Sequence, residues 1–335
     1  MSQHRIAIRV LFVACLWLFG TLSAAAAEKQ TIIRIGHIMA TDQAHHLGAV
    51  KFAEIVSKAT NDRIQVKVFP ASQLGSATAQ MGNVKMGSQE MFVESGTVGS
   101  RLEPDFLVLL VPFLIKNHEH ARKVYSGEVG AELAEKLAEK QGIRVLTSNW
   151  DRAPRHLLTK KPISKLDDLK GVKVRVPANP IFLKGWKALG ASPTPMEFSE
   201  IYLGLQQGTI EGVELSLDFI YAQKYYEVAK QCTLTYHFYE MASVYANEKF
   251  FQSLSPEDQK LVKDALVDAG NYQNKVLEEQ FKVLSEKMKQ EGVIFKELSA
   301  EEKSRAAELA KKVGEEEEAA GKWTKGLISR IHDVK

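Results

Sequence analysis

Cysteine is scarce in this chain of 335 residues, which has only Cys15 and Cys232. Cys15 lies in an apolar leader, so Cys232 has no partner for an intramolecular disulfide once the leader is removed. Export to an oxidising compartment permits disulfides without requiring them, and the fold must therefore be stabilised by a buried core. About 308 residues remain after the leader, enough for one or two such cores, and this length predicts two domains.

The common catalytic and metal-binding motifs are missing as well. The sequence contains no Walker loop, no G-x-G-x-x-G, no G-x-S-x-G, no H-E-x-x-H and no C-x-x-C. The histidines of His45-His46 and of His118-Glu119-His120 do not have the four-residue spacing of two ligands on one helix face. We therefore predict no catalytic residue, no metal and no cofactor.

Neither sign of charge is in excess. The formal net charge is +3, and loss of Arg5 and Arg9 with the leader lowers it to +1. Such a balance gives no reason to expect a nucleic-acid partner.

Residues 1–27 differ from the rest of the chain. A positively charged start and an uncharged apolar run at residues 10–20 are followed by small residues at 24–27. This pattern is typical of a secretory signal peptide, here cleaved near Ala26 or Ala27. An uncleaved anchor is the alternative, because the stretch is close to the minimum length of a membrane helix. No later apolar run is long enough to span a membrane, so we expect an exported, soluble protein.

Strands and helices alternate in the first part of the mature chain. β-Branched and apolar residues predict a strand over residues 32–38, and apolar residues at helical spacing predict a helix over 45–59. Alternating apolar and polar residues then predict a half-exposed strand over 63–69, followed by a helix at 81–86 and a strand at 90–93. This order argues for a parallel or mixed sheet covered by helices.

The same pattern restarts with a predicted strand at residues 143–148. An extended segment at 150–161 and a strand at 172–176 follow, and two helices, at 181–189 and 199–207, each end at a glycine. Two blocks of this kind imply two lobes with a crevice between them.

The last hundred residues are predicted to be mostly helical. Ser255-Pro256-Glu257-Asp258 has the composition of a helix start: a capping serine, a proline in the first turn and acids at the positive end of the helix dipole. The helix can run to Gly292, which is roughly 35 residues or about 50 Å. Since that exceeds one small lobe, we expect this helix to brace both.

Three charged residues lie near the ends of predicted strands. Arg175 is one residue from the end of its strand, where ligands of open α/β sheets bind, and a guanidinium there can hold a carboxylate with two parallel hydrogen bonds. Arg155 lies at the start of the second block, and Glu94 follows a short strand of the first. Each residue can equally be a surface charge, and spacing does not decide between these roles.

Several motifs recur in the order and spacing of a known family. They are Phe69-Pro70 with Gln73-Leu74-Gly75-Ser76, Leu110-Val111-Pro112-Phe113, Lys161-Pro162-Ile163, and the segments 166–177, 189–196, 198–202, 205–208 and 211–214. Through these motifs the chain resembles the solute-binding subunits of tripartite ATP-independent periplasmic (TRAP) transporters, the DctP family named for dicarboxylate uptake. The resemblance covers nearly all of the mature chain.

This resemblance implies an α/β fold like that of the type II periplasmic binding proteins. Two α/β lobes with mixed sheets would enclose a ligand cleft, joined by crossing strands and a long bracing helix. We predict that lobe I consists of residues 28–150 with about 241–280. Lobe II then consists of residues 151–240 with about 281–335, which include the C-terminal helices.

The resemblance also implies roles for individual side chains. Arg175 aligns with the arginine that pairs with the ligand carboxylate, and Arg155 with a second arginine that contacts the ligand. Phe198 aligns with an aromatic wall residue. Glu94 stands where the sialic-acid binders of the family place a ligand-contacting acid. The remaining candidate ligand contacts are Gln80, Trp150 and His37.

Two departures from the family pattern affect the expected ligand. Leu215 stands where an asparagine commonly helps to hold the carboxylate, and a leucine side chain donates no hydrogen bond. Glu214 or Asp218 would then meet ligand hydroxyls instead. The family's frequent acid after L-G-S is also missing, with Ala79 and Gln80 in that region.

The implied function is that of a periplasmic receptor and not of an enzyme. It would capture a small organic carboxylate as a monomer and deliver it to a small and a large integral membrane subunit. A sugar acid, a C4-dicarboxylate and a 2-oxo acid all suit an arginine-anchored site, and the nearby acids favour a hydroxylated monocarboxylate. The binding subunit of a sensor system and a periplasmic enzyme acting on an acid are the competing functions.

Overall fold

The computed structural model describes residues 30–335. The signal peptide predicted for residues 1–27 lies outside the described residues. Between residues 30 and 335, no helix is both long and apolar enough to cross a bilayer.

Two separate β-sheets form the framework of the molecule. The strands are β1 (Thr31–Gly36), β2 (Ile64–Phe69), β3 (Met91–Ser95), β4 (Ile143–Asp151), β5 (Arg155–Thr159), β6 (Lys173–Val176), β7 (Ser192–Pro195), β8 (Gly212–Ser216), β9 (Gln231–Leu234), β10 (Met241–Asn247) and β11 (Ile294–Glu297). The first sheet has the order β2-β1-β3-β10-β4 and the second the order β11-β9-β5-β8-β6-β7. Both sheets are mixed, because β10 runs antiparallel to β3 and β4, and β5 antiparallel to β8 and β9. The predicted architecture of two α/β lobes is confirmed.

Helices connect most of the strands. The α-helices are α1 (Ala44–Thr60), α2 (Ala77–Met86), α3 (Gly96–Gly99), α4 (His118–Ser126), α5 (Glu128–Gln141), α6 (Pro180–Ala188), α7 (Ile201–Gln207), α8 (Leu217–Ala222), α9 (Glu248–Ser253), α10 (Pro256–Gln290), α11 (Ala300–Ala319) and α12 (Leu327–His332). Short 3₁₀ helices lie at Pro104–Leu110, Leu166–Leu169, Phe198–Glu200 and Tyr225–Glu227.

Between residues 30 and 335 the chain passes between the two sheets three times, twice through short segments and once through α10. Residues 152–154, here called the first crossing, lead from β4 of the first sheet to β5 of the second. Residues 235–240, the second crossing, lead from β9 of the second sheet back to β10 of the first. Two lobes joined by a few such segments can rotate about them, which is the usual construction of a hinge.

The long helix α10 spans 35 residues and braces both lobes, as predicted. It begins after Ser255, whose hydroxyl accepts a hydrogen bond from the backbone N–H of Asp258 at 3.1 Å. Its first half packs Leu266 into the core of the first sheet. Its last turns pack Leu284 and Met288 into the core of the second. One rigid element thus reaches the hydrophobic cores on both sides of the crossings.

Close packing against α10 depends on a small residue. A Cβ atom added to Gly270 of α10 would lie 2.6 Å from Cδ1 of Trp150, which is fully buried in β4. Real Cβ contacts essentially never fall below 3.0 Å. The helix and the strand therefore approach each other closely because this position lacks a side chain.

One strand differs from the sequence prediction, because β10 lies in a region predicted to be mostly helical. β4 pairs with β10 in the first sheet; the sequence pattern groups β4 with the second block, whereas the predicted lobe I, residues 28–150, includes almost all of it. Every residue of β10 is buried, so it lacks the alternation that identifies a half-exposed strand, and a short apolar run does not distinguish strand from helix. The lobe boundaries given above stay predictions.

Candidate ligand-binding site

A cavity of about 220 Å³ lies between the two sheets. Five residues predicted from the sequence as ligand contacts line it: Arg175, Arg155, Glu94, Phe198 and Leu215. β3 of the first sheet supplies Glu94, while β5, β6 and β8 of the second supply Arg155, Arg175 and Leu215. The crevice between strand ends therefore brings together residues that are up to 121 positions apart in the chain.

Arg175 is a buried cation on the wall of this cavity. Its neighbours Val174 and Val176 are fully buried on the opposite face of β6, so the pleat turns Arg175 toward the cleft. Its Nε and Nη2 atoms both donate to the carbonyl oxygen of Met196, at 2.9 and 2.7 Å. Burial lowers the pKa of Arg175 to about 10, which leaves it charged at neutral pH.

No carboxylate among residues 30–335 lies within ion-pair distance of Arg175. Its side chain is only 5% exposed, so water compensates little for the missing partner. Burial of an unpaired charge is unfavourable. The guanidinium is therefore suited to pair with an anion that enters the cavity.

Arg155 has carboxylate partners of its own. Its Nε donates to Oε2 of Glu214 at 2.7 Å and its Nη2 to Oε1 of the same group at 2.5 Å. Its Nη1 donates to Oε2 of Glu240 over a longer distance, 3.4 Å. Arg155 thus lines the cavity while two of its nitrogens hold Glu214 and the third makes only this long contact.

Glu214 lies behind Arg155 and not on the cavity wall. It is fully buried and also contacts Nε2 of His237 at 3.1 Å. Burial alone would raise the pKa of this carboxyl, but the charge of Arg155 and the hydrogen bond from His237 hold it below its ordinary value. Glu214 is therefore a charged partner that fixes Arg155 in place.

Glu94 has one oxygen engaged and one without a partner. Its Oε1 accepts hydrogen bonds from Nη1 of Arg152 at 2.7 Å and from the backbone N–H of Ser95 at 2.8 Å. Its Oε2 is buried and has no hydrogen-bond partner among the described residues. Because Glu94 lines the cavity, a ligand hydroxyl is well suited to donate to that oxygen.

Arg152 is a lining residue that the sequence reasoning missed. It lies in the first crossing, three residues before Arg155. Its guanidinium stacks on the ring of Phe219, 5.3 Å from the centroid, and Phe219 is also on the wall. The presence of a second arginine so close to Arg155 could have indicated Arg152 as a site residue. Nothing in the sequence, however, predicts its contact with Glu94, 58 positions away.

The rest of the wall combines aromatic rings with hydroxyl groups. Phe198 meets Phe219 edge to face at 5.6 Å between ring centroids, and Leu215 extends this apolar surface. The hydroxyl-bearing residues on the wall are Ser72, Ser76, Thr78, Ser95, Thr97 and Ser199. An apolar face opposite many small hydroxyls suits a ligand with a carbon chain and several oxygen atoms.

Asp218 takes part in a contact between the lobes and does not line the cavity. Its Oδ2 accepts a hydrogen bond from Nε2 of Gln43, which precedes α1 on the first sheet, at 3.3 Å. Its Oδ1 is buried without a partner among the described residues. Asp218 therefore helps to hold the two lobes together beside the cavity.

Three other predicted contacts lie inside the first lobe. Trp150 donates from Nε1 to the carbonyl of Leu266 at 3.1 Å within the core. Gln80 donates to the carbonyl of Gly75 at 2.9 Å. His37 contacts Nδ1 of His46 at 3.1 Å, and burial with the nearby His46 charge lowers the pKa of His37 to about 4. All three predicted contacts are fully buried, and none is on the cavity wall.

A larger cavity, of about 1050 Å³, shares no lining residue with the first. It lies between the crossings and α10. Two of its cations, Arg122 and Lys282, are paired with Asp151 and Glu278, and the third, Lys275, is exposed. Both paired basic side chains are more than half exposed. It therefore offers no buried unpaired cation like Arg175, and we place the ligand site in the smaller cavity.

Comparison with known proteins gives a consistent result. A family model described as "Bacterial extracellular solute-binding protein, family 7" (DctP) matches residues 35–319. The 2,3-diketo-L-gulonate-binding periplasmic protein YiaO of Escherichia coli K12 is 34% identical over 284 residues, covering 84% of this chain and 85% of that protein. The C4-dicarboxylate-binding periplasmic protein DctP of Rhodobacter capsulatus is 32% identical over 300 residues, covering 88% and 89%.

The fold is also similar to that of solved structures. The sugar acid binding protein DctPAm from Advenella mimigardefordensis DPN7T, in complex with galactonate, superimposes with a TM-score of 0.85. The two sequences are 32% identical, and the match covers 91% of this chain and 98% of the other.

Proposed function

Since the chain belongs to family 7 of the bacterial extracellular solute-binding proteins, we propose that its ligand is a hydroxylated monocarboxylate of the sugar-acid class. Proteins of this family are the solute-binding receptors of TRAP transporters and work with membrane subunits. This chain is a TRAP solute-binding receptor for a small organic carboxylate.

The observation that carries the proposal is the state of Arg175. It is a nearly buried cation whose hydrogen bonds go to a carbonyl and not to a carboxylate. A ligand carboxylate would provide the missing negative charge, and the partial water exclusion of the cleft strengthens that attraction. We propose that Arg175 receives the carboxylate and that Nη1 of Arg155 contacts the same end of the ligand.

The remaining charges favour one carboxylate over two. Arg155 is already held by Glu214 and Glu240, and Arg152 by Glu94. A second ligand carboxylate would face the acceptor oxygen of Glu94, and like charges repel in a partly buried site. Hydroxyl groups can instead donate to Glu94 and exchange hydrogen bonds with the serine and threonine side chains of the wall.

Sequence identity by itself does not choose the ligand. Relatives of 32–34% identity include a binder of a diketo sugar acid and a binder of C4-dicarboxylates, and a structural relative holds galactonate. The cavity volume, about 220 Å³, is below the range of roughly 300–1,000 Å³ typical of drug-sized ligands, which supports a small acid. Leu215 replaces the amide donor expected from the family pattern, so the carboxylate would depend on the arginines.

Capture would proceed by closure of the two lobes about the crossings. The carboxylate first meets Arg175 of the second lobe, and rotation then brings Glu94 of the first lobe against the ligand. The resulting surface is presented to the transporter. We propose a monomeric receptor exported to the periplasm, with its leader cleaved near Ala26 or Ala27, that delivers ligand to a small and a large integral membrane subunit.

A thermal-shift screen of organic acids tests the ligand class. A ligand at 100 times its dissociation constant adds about 2.7 kcal/mol to the free energy of unfolding, which gives a clear rise in Tm. We expect aldonates or uronates to raise Tm more than succinate, malate or pyruvate at equal concentration. The same screen on Arg175→Met is the control and should show a much smaller shift. Stabilisation by C4-dicarboxylates with none by sugar acids would contradict the proposal.

A further inference from the structure

We infer that Arg152 is a specificity-determining residue of this site. It acts as a positioning residue: it fixes the carboxylate of Glu94 so that the cavity takes a ligand with a hydroxyl donor at its end facing the first lobe. The inference rests on the proposed function, because it concerns the same cavity, and it adds a residue that neither the motifs nor the periodicity indicated.

The backbone of Arg152 is held from two sides. Its N–H donates to the carbonyl of Glu240 in the second crossing at 3.3 Å. Its own carbonyl lies 2.8 Å from Nε2 of His118, at the start of α4. The two crossings and a helix of the first lobe thus meet at this residue, which fixes the point from which its side chain extends.

The side chain of Arg152 contacts both walls of the cavity. Nη1 donates to Glu94 of the first lobe at 2.7 Å, and the guanidinium plane lies over Phe219 of the second lobe at 5.3 Å. Nε is 4.0 Å from Oε2 of Glu240. The residue is 8% exposed. A guanidinium with this many neighbours has little freedom to move, so it holds its carboxylate partner in one orientation.

This orientation decides which oxygen of Glu94 faces a ligand. Oε1 already accepts two hydrogen bonds, from Arg152 and from the N–H of Ser95. Oε2 is buried and has no partner among the described residues. A buried acceptor left unpaired is unfavourable, and an ionised carboxylate can only accept. A ligand hydroxyl satisfies Oε2, whereas a methylene group leaves it unpaired and a second carboxylate repels it.

Loss of Arg152 would remove this selectivity. Without the guanidinium, the Glu94 carboxylate can rotate, and the space that the arginine occupied admits water to either oxygen. A ligand without the relevant hydroxyl would then lose less binding affinity, because water or Ser95 could donate to Glu94 in its place. The signature of a positioning role is therefore a smaller difference between matched ligands, separate from any general loss of affinity.

Calorimetric titration with a hexonate and its series of single-deoxy analogues measures that difference. For the parent protein, we expect one deoxy position to weaken binding at least tenfold, as loss of a hydrogen bond to a charged group does. For Arg152→Met, the penalty at that position should fall below threefold. Arg152→Lys, which keeps the charge, should give an intermediate penalty and covers the case in which the methionine variant does not fold.

Arg305→Met is the matched control. Arg305 is an exposed cation that pairs with Asp167 at 3.1 Å and does not line the cavity. Its loss should leave both the affinity for each analogue and the deoxy penalty unchanged. An equal deoxy penalty in the parent and in both Arg152 variants would overturn the inference. A parent protein that is stabilised by no aldonate or uronate would overturn the proposed function itself, so the two failures are distinguishable; where a shorter aldonate binds instead, its deoxy analogues replace those of the hexonate.

Discussion

Arg155 and Glu214 form a two-point ion pair that is almost completely shielded from solvent. Nε and Nη2 of the arginine reach the two oxygens of the carboxylate at 2.7 and 2.5 Å, and Glu214 is 0% exposed. The two residues lie on neighbouring antiparallel strands, β5 and β8. This pair fixes the orientation of Arg155 before any ligand arrives, so the ligand does not have to order that side chain.

Glu214→Gln should strongly destabilise the unliganded protein. The amide keeps the shape of the carboxylate but leaves Glu240, at 3.4 Å, as the only carboxylate among the described residues within ion-pair distance of the buried Arg155. Breaking one half of a buried pair costs about 3–5 kcal/mol, which urea unfolding at pH 7 would measure. Glu278→Gln is the control, because Glu278 and Lys282 form an exposed pair whose loss should leave the stability essentially unchanged. Equal effects of the two substitutions would contradict this role of Glu214.

The contribution of Glu214 should also depend on pH. Its pKa is lower in the folded protein than in the unfolded chain, where a glutamate titrates near about 4.3. A group of this kind stabilises the fold above the unfolded pKa, and the stabilisation is lost as the pH falls through the folded pKa. The difference in unfolding free energy between the parent and Glu214→Gln should therefore be constant from about pH 7 to 5 and shrink below about pH 4. If the difference in unfolding free energy already disappeared near pH 6, the pH dependence would have to come from a group other than Glu214.

The sequence predicted those parts of the site that depend on local patterns. The cap at Ser255 predicts the long helix. Strand alternation makes Arg175 a candidate, but only the family resemblance separates it from a surface charge. Arg152 could not be predicted, because its contact with Glu94 joins residues 58 positions apart, and spacing along the chain carries no information about such a contact. The family motif predicts that Leu215 meets the ligand, and Leu215 lies on the cavity wall, but the motif could not show that the neighbouring Glu214 is buried against Arg155.

Arg175→Met should lower affinity and leave the unliganded fold at least as stable. The cation has no acid partner between residues 30 and 335, so its removal relieves an unfavourable burial while the methionine fills similar space. Loss of one half of a buried charge pair with the ligand should cost roughly 2–5 kcal/mol, or about 30- to 4,000-fold in Kd. Titration calorimetry and thermal unfolding measure the two effects.

Arg305→Met is the charge-matched control, since Arg305 forms an exposed pair with Asp167 at 3.1 Å. It should bind ligand as the parent does. Parental affinity in Arg175→Met would show that the carboxylate is held elsewhere.

Leu215→Asn should restore an amide donor to the wall at the expense of stability. Leu215 is 5% exposed, and an amide buried there without a partner should cost about 1–3 kcal/mol in the unliganded protein. A ligand carboxylate can accept from the new amide, so the loss of Tm should be smaller with ligand than without. Leu203→Asn, on the exposed surface, should show neither effect. A Tm loss that is equal with and without ligand would mean that position 215 does not face the carboxylate.

Gly270→Ala provides a test of the packing between α10 and the first sheet, because two effects of opposite sign compete. Replacing a glycine within a helix by alanine favours the helix by roughly 0.5–1 kcal/mol. The new Cβ would, however, lie 2.6 Å from Trp150 and 2.6 Å from Oδ1 of Asn149. Trp150 is fully buried and its Nε1 is hydrogen-bonded to the carbonyl of Leu266, so the ring cannot easily move aside.

Overpacking of this kind costs about 1–3 kcal/mol, and we expect it to exceed the helical gain, with a net loss of stability in urea unfolding. Gly82→Ala isolates the other effect, since Gly82 lies within α2 with no atom within 4 Å of the added Cβ. That variant should be more stable than the parent by roughly 0.5–1 kcal/mol. If both substitutions stabilised the protein, the close approach of α10 to β4 would be wrong.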